Sequence, residues 1–109
     1  MRRQKYNAKP TIVDGIRFAS KREAQRYGEL KLLEKAGVIF GLKLQPRFVL
    51  QEKNGKDRAI VYVADFRYIE RVGGPVIIED VKGVQTQAFK IKAKLFRRKF
   101  PMYILRIVK

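Results

Sequence analysis

The sequence predicts an α/β protein in which helices flank a four-stranded mixed sheet, preceded by a short N-terminal hairpin. Two segments with helical periodicity each begin at a capping residue, β-rich segments lie between and after them, and one of these segments is apolar on both faces. The 109 residues are 46% hydrophobic, which is enough for one core. We therefore expect a single domain over residues 1–109, with a basic arm and hairpin at 1–19 and the core at 20–109.

The hairpin and the first helix have the clearest local signals. Two short β-prone segments at residues 11–18 flank Asp14-Gly15, a pair that suits the positive φ angles of a type I′ turn. Ser20 and Glu23 have the spacing of a capping box, and apolar residues then recur at steps of about three. We expect this helix to end at Gly37.

Three strands are predicted to follow as an antiparallel meander. The first covers residues 38–50 and is interrupted at Gln45-Pro46, because proline cannot donate to a strand ladder. A turn with Asn54-Gly55 leads to a long strand at 59–69, and the glycine turn at 72–75 leads to a third strand at 76–82.

The last two elements are a helix and a strand. Residues 86–99 have an apolar side, and Pro101 ends the helix. Residues 102–108 are rich in β-branched and aromatic side chains and are predicted to pair parallel to the third strand, because a helix connects the two. The element order after the hairpin is therefore αβββαβ.

Composition excludes several kinds of chemistry. The chain has 26 Lys and Arg against 10 Asp and Glu, no His and no Cys, and a formal charge of +16. The usual zinc sites, disulfides, Cys-His and Ser-His pairs and histidine bases are therefore excluded. The absence of a long apolar run predicts no membrane span, and we expect a cytoplasmic protein, in the host cytoplasm if a phage encodes it.

The charge is concentrated at the two ends of the chain. Residues 1–22 have 7 basic and 1 acidic residue and residues 83–109 have 8 and 0, whereas residues 23–82 have 11 and 9. Clustered cations release counterions when they neutralise phosphates, so the pattern favours DNA as the partner. A solvated basic surface and an anionic membrane surface are the alternatives.

The acidic residues of the middle segment stand at unusual places. Asp65 shares a strand face with Val61 and Val63, and Asp80 shares one with Lys82. A turn centred between Gly73 and Gly74 would place Asp65 opposite Lys82 and diagonal to Asp80. Two neighbouring carboxylates can hold Mg²⁺, and a lysine beside them can assist an attacking hydroxide. A buried ion-pair network is the other interpretation.

Two short motifs carry a resemblance to a known family. VADF at residues 63–66 and EDVKG at 79–83 resemble the motifs of the PD-(D/E)XK nuclease superfamily. In this chain, Ala64 stands where the motif name has a proline. Residues 13–18, 20–27 and 44–46 extend the resemblance to small phage and prophage nucleases related to Holliday-junction resolvases and transposase endonuclease subunits. The resemblance implies a restriction-endonuclease-like αβββαβ core.

It also implies roles for particular residues. Asp65 and Asp80 correspond to metal ligands, with the carbonyl of Val81 as a third, and Lys82 corresponds to the catalytic lysine. Glu23 corresponds to a helix-borne acid that completes the metal site or adds a second one.

Three assignments stay open at this point. For Glu23, a purely capping role is the alternative to a metal ligand. Gln45 resembles a glutamine that approaches the active site, with an ordinary edge-strand role as the alternative. Glu79 could replace Asp80 as a ligand, but Asp80 is favoured because it shares a face with Lys82, and we expect Glu79 to pair with a basic residue on the opposite face.

The function implied is Mg²⁺- or Mn²⁺-dependent hydrolysis of DNA phosphodiester bonds, either nicking or structure-selective, including Holliday-junction cleavage. Cleavage of both strands at a junction would require a homodimer. The alternative is a non-catalytic, basic nucleic-acid-binding protein. The expected contacts to DNA phosphates are Arg2, Arg3, Lys5, Lys90, Lys94, Arg97 and Arg98.

Overall fold

The computed structural model describes residues 10–109, so the predicted DNA contacts Arg2, Arg3 and Lys5 lie outside the described residues. The helices are α1 (Lys21–Lys35) and α2 (Gln87–Lys99). The strands are β1 (Thr11–Val13), β2 (Ile16–Phe18), β3 (Phe40–Leu44), β4 (Arg47–Gln51), β5 (Ile60–Val63), β6 (Phe66–Ile69), β7 (Val76–Val81) and β8 (Ile104–Val108). Neither helix in this range is long and apolar enough to span a bilayer.

The hairpin and α1 form where the turn and capping residues of the sequence predict them. Asp14 and Gly15 have φ angles of 53° and 74°, as a type I′ turn requires. The Ser20 hydroxyl accepts a hydrogen bond from the Glu23 N–H at 3.1 Å, which caps the helix. Gly37, with φ of 78°, takes the chain out of the last turn.

The main sheet is mixed, as predicted. Its strand order is β3-β6-β7-β8, and the first two pairings are antiparallel. β8 runs parallel to β7, with α2 as the connection between them. The fold is thus a compact α/β arrangement of two helices, this four-stranded sheet and two small two-stranded sheets.

The prediction of one long strand at 59–69 is wrong. The chain breaks at Ala64 and Asp65 into β5, which pairs with β4, and β6, which pairs with β3. The neighbouring chain bends at the same level, where Gln45 has φ of 52° and precedes Pro46. Two backbone bonds hold these bends together, from the Gln45 N–H to the Asp65 carbonyl at 2.9 Å and from the Ala64 N–H to the Pro46 carbonyl at 3.1 Å.

The break also corrects the predicted apolar row. Val61 and Val63 do not form a buried row with Asp65, because the buried side chains at this end of the strand are Tyr62 and Ala64. These two pack on the α2 side of the protein, whereas the side chains of β6 pack on the α1 side. Asp65 therefore lies at the point where the chain changes from one layer to the other.

The predicted register of β6 and β7 is wrong by two residues. Phe66 pairs with Glu79, so Asp65 lies next to Asp80 and not opposite Lys82. Because side chains alternate with a period of two, a shift of two residues leaves every side chain on its predicted face.

The turn between β6 and β7 explains the shift. It is a four-residue turn, Arg71 to Gly74, closed by a bond from the Gly74 N–H to the Arg71 carbonyl at 2.9 Å. Gly73 is its third residue and has φ of 77°, which is the requirement of a type II turn. The turn centre is therefore between Val72 and Gly73, one residue earlier than predicted.

β7 is covered on both sides, as its apolar sequence predicts. On one side, Ile77 packs with Tyr27 and Leu30 of α1. On the other, Ile78 packs with Phe89 and Phe96 of α2. The end of β7 consequently lies between two apolar layers, where the cost of burying a charge is high.

Candidate active site

Four predicted residues converge at the end of β7. Asp80 belongs to β7 and Lys82 follows it, Asp65 comes from the break between β5 and β6, and Glu23 comes from the first turn of α1. Asp80 is 1% exposed and Glu23 is 8% exposed. Three carboxyl groups and one ammonium group therefore share a largely buried space, a grouping that the motif resemblance implies.

Asp80 has one satisfied and one unsatisfied oxygen. Its Oδ2 accepts a hydrogen bond from the Tyr62 hydroxyl at 2.5 Å. Its Oδ1 is buried without a hydrogen-bond partner and lies 3.4 Å from the Lys82 Nζ. This oxygen is thus paired with the Lys82 ammonium by charge but accepts no hydrogen bond, so a bound cation would stabilise it further.

Asp65 is held in place by a hydrogen bond, but its surroundings disfavour the charged form of its carboxyl group. Its Oδ2 accepts a hydrogen bond from the Val81 N–H at 2.7 Å. Burial, followed by repulsion from Asp80 and Glu23, raises the pKa of Asp65 to about 8, against the lowering effect of the Val81 bond. At neutral pH, Asp65 thus holds a proton when no cation neutralises the cluster.

Glu23 lies in the first turn of α1, three residues after the capping Ser20. Its backbone N–H bonds the capping Ser20, while its carboxyl accepts from the Ala19 N–H and is in hydrogen-bonding contact with Asp65. Burial is the main reason why the pKa of Glu23 is raised. The capping position therefore delivers the carboxyl to the cluster.

Lys82 lies between the carboxyl groups and solvent. Its backbone N–H donates to the Val108 carbonyl at 2.8 Å, which continues the pairing of β7 with β8. Its ammonium group lies 5.0 Å from the centroid of the Phe89 ring, a cation–π distance. The ring and Asp80 together hold the ammonium at the edge of the cluster.

Glu79 lies on the opposite face of β7, as expected. It is fully buried and accepts two hydrogen bonds from Arg26, from Nε at 2.7 Å and from Nη2 at 2.9 Å. The Tyr68 hydroxyl donates to it at 2.6 Å, and burial, with the carboxylate, raises the pKa of Tyr68 to about 12. Glu79 is thus committed to an ion pair and does not replace Asp80 in the cluster.

The remaining predicted residues lie at the margins. Gln45 is exposed, and its contact with the site is the backbone bond to Asp65 described above. The basic residues predicted on α2 are all exposed, whereas Phe89, Ala93 and Phe96 of the same helix are buried. The exposed basic residues are Lys90, Lys94, Arg97 and Arg98.

The sequence reasoning missed Tyr62 and Lys92. Tyr62 was hidden by the incorrect apolar row, although a tyrosine three residues before Asp65 is a candidate hydrogen-bond donor. Lys92, on the segment predicted to have an apolar side, lines a groove together with Lys82. A lysine three residues after the buried Phe89 was the available signal for a cation near the site.

The carboxyl cluster suits a hard divalent cation by its chemistry. Among residues 10–109, no group of three His, Cys, Asp or Glu side chains is arranged as a ready metal cage. However, the unpartnered Asp80 oxygen and the raised pKa of Asp65 are both relieved by positive charge. Mg²⁺ is typically held by one or two carboxylates together with water and phosphate oxygens, so Asp65, Asp80 and Glu23 are chemically suited to such an ion, with the Val81 carbonyl as the further ligand that the motif resemblance implies.

Fold and site together define an α/β protein with a buried acidic cluster at the end of a central strand. The chain belongs to the family described as Protein of unknown function (DUF1064), which it matches over residues 3–109. No curated protein and no solved structure matches the chain. The family match includes all the residues of the cluster.

Proposed function

We propose that this protein is a Mg²⁺- or Mn²⁺-dependent DNA endonuclease with a restriction-endonuclease-like core of the PD-(D/E)XK type. The buried Asp80 oxygen without a hydrogen-bond partner carries the proposal, because it lies among two further carboxyls and a lysine. The resemblance of the motifs around Asp65 and Asp80 supports it, as does the order of the main elements. A basic chain with a formal charge of +16 supports DNA as the partner.

Each residue of the cluster has a role in this proposal. Asp65, Asp80 and Glu23 would hold the cation with the Val81 carbonyl. A bound cation supplies positive charge that polarises the phosphate and lowers the pKa of a water molecule. Lys82 stabilises negative charge on the reacting phosphate, because its ammonium is fixed beside Asp80 and reaches solvent.

Residues away from the cluster position the reacting groups. Tyr62 orients Asp80 by its hydrogen bond. The exposed Lys90, Lys94, Arg97 and Arg98 bind backbone phosphates, which orients the DNA without reading its sequence. We place this activity in the cytoplasm, and we expect a homodimer if a branched junction is the substrate.

Cleavage of supercoiled plasmid tests the proposal. The wild-type protein with Mg²⁺ or Mn²⁺ is expected to nick the plasmid, and EDTA is expected to stop it. Asp80→Asn and Lys82→Ala should each lower the nicking rate by at least about 100-fold, because each removes charge from the reacting centre. DNA binding, measured by gel shift in EDTA, should remain for both.

Asp57→Asn is the matched control for the loss of one acidic charge. Asp57 lies in the exposed loop between β4 and β5, and its replacement should leave nicking unchanged. Nicking that persists at full rate in Asp80→Asn and Lys82→Ala contradicts the proposal. DNA binding without any metal-dependent cleavage by the wild type would favour the non-catalytic alternative.

A further inference from the structure

A groove opens beside the cluster, between β5 and the first half of α2. Its volume is about 330 Å³, which is at the lower end of the range for small-ligand sites. Its lining includes Val61, Val63, Lys82, Ala88, Phe89 and Lys92. The groove therefore has room for a group of nucleotide size and is too small to admit a double helix.

One side of the groove is cationic. Lys82 lines it and at the same time lies 3.4 Å from Asp80, so the groove meets the carboxyl cluster at this residue. Lys92 lines it from α2, on a different side of the helix from the exposed Lys90 and Lys94. A phosphate bound by these two lysines would lie next to the candidate reacting centre.

The β5 side of the groove is lined by two valines and Tyr62. Val63 is 49% exposed, although it is a large aliphatic side chain, and Val61 lies beside it in the groove. Free phosphate or the backbone of an intact duplex would use the lysines and leave Val63 in water. A nucleotide whose base has left the stack presents both an anion and an apolar ring.

We propose that this groove binds one unpaired nucleotide beside the scissile phosphate. The substrate class is then DNA with a single-stranded segment, in preference to intact duplex. The phosphate contacts Lys82 and Lys92, and the base or sugar covers Val63. This assignment rests on the proposed nuclease function, which it narrows to a class of substrate.

Equilibrium binding of two probes by the full-length protein tests the groove. The probes are a short fluorescent oligothymidylate and a blunt duplex of the same length, measured by anisotropy in EDTA so that neither is cut. Val63→Ser changes no charge and should weaken oligothymidylate binding roughly fivefold or more, since it removes the apolar contact to one base. Duplex binding should stay within about twofold of wild type.

Lys92→Ala and its matched control Lys94→Ala each remove one positive charge from α2, but only Lys92 lines the groove. Their comparison therefore distinguishes a contact within the groove from the non-specific attraction of DNA to a basic surface. Lys92→Ala should weaken oligothymidylate binding several-fold more than duplex binding, whereas Lys94→Ala should weaken both probes equally. The assignment is overturned if Val63→Ser changes the affinity for both probes equally or changes neither. It is also overturned if Lys92→Ala weakens binding of the two probes in the same ratio as Lys94→Ala does.

The outcomes for the groove and for the nuclease activity are distinguishable. Selective loss of oligothymidylate binding without any Mg²⁺-dependent plasmid cleavage would keep the groove as a nucleotide site and reject the nuclease. Cleavage that depends on Asp80, together with equal effects on the two probes, would keep the nuclease and reject the groove.

Discussion

At the scale of single residues, Arg26 and Glu79 form an ion pair whose geometry is fixed by two hydrogen bonds. Glu79 is fully buried, and both of its oxygens accept hydrogen bonds from the Arg26 guanidinium. Arg26 follows Glu23 by three residues on α1, and Glu79 precedes Asp80 on β7. The pair therefore fixes the helix against the strand at the level of the carboxyl cluster.

Loss of one partner of this pair should strongly destabilise the protein. Arg26→Met leaves Glu79 buried without its cation, which is expected to lower the free energy of unfolding by about 3–5 kcal/mol. Arg98→Met, an exposed arginine on α2, should change the same quantity by less than about 0.5 kcal/mol. Urea unfolding followed by circular dichroism measures both.

A double variant separates charge burial from lost packing. Arg26→Met combined with Glu79→Gln should be less destabilised than the sum of the two single variants, because no unpaired charge remains. If the double variant instead loses as much unfolding free energy as the two single variants together, the two side chains do not interact as the geometry requires.

At the scale of elements, a carboxylate joins α1 to the strand that follows it. Glu34, in the last turn of α1, accepts a hydrogen bond from the Leu42 N–H of β3 at 3.0 Å. This bond, helped by Lys31 at 3.3 Å, lowers the pKa of Glu34. A lowered pKa in the folded state means that the charged form stabilises the fold.

The Glu34 contact should make stability depend on pH in a defined direction. The stabilisation is complete above the ordinary carboxyl pKa of 4.5 and is lost as the pH falls through that value and the lower pKa of the folded state. At neutral pH, Glu34→Gln should therefore be about 1 kcal/mol less stable than wild type. The difference should shrink on acidification.

Thermal unfolding of wild type and Glu34→Gln across the acidic range measures this effect. Glu52→Gln, at an exposed position after β4, is the control for removing one carboxyl. A stability difference for Glu34→Gln that stays constant down to the lowest pH would rule out the charged carboxylate as the stabilising form.

At the scale of the whole molecule, the buried acidic cluster contrasts with a basic helix surface. Acidic side chains gather at the buried end of β7, while α2 presents Lys90, Lys94, Arg97 and Arg98 to solvent. A polyanion approaching the basic surface of α2 releases its condensed counterions. Binding through this surface is therefore an entropic effect that salt opposes.

DNA affinity should fall steeply with salt concentration. If the four exposed cations of α2 each neutralise one phosphate, a plot of the logarithm of the binding constant against the logarithm of salt concentration should have a slope of about −3.6. Lys94→Ala should reduce the slope by about 1, whereas Lys35→Ala at the end of α1 should leave it unchanged. Anisotropy titrations with duplex DNA measure the slope, and a flat response would exclude these phosphate contacts.

Much of the fold could be predicted because its signals are local. The turn at Asp14-Gly15, the cap at Ser20 and the end of α1 at Gly37 depend on residues close together in the chain. Such features follow from the conformational preferences of a few neighbouring residues. They were all confirmed.

The sequence predicts which residues form the candidate site but not which of their side chains lie next to each other. The period of two along a strand determined that Asp80 and Lys82 share a face and that Glu79 points away. The type II turn at Gly73 and the break at Asp65 decided which carboxyls meet, and the same break exposed Val63 and placed Tyr62 on Asp80.

The sequence by itself therefore determined the hairpin, the two helices, the last two strands of the main sheet, their order, and the faces on which Asp80, Glu79 and Lys82 lie. Only the tertiary structure decided the register of β6 on β7, the exchange of partners at Asp65 and the groove that includes Lys92. The physical reason is that local conformational energies act within a few residues. Register and groove shape, in contrast, arise from pairings between distant segments, whose turn types and bends shift every contact that follows.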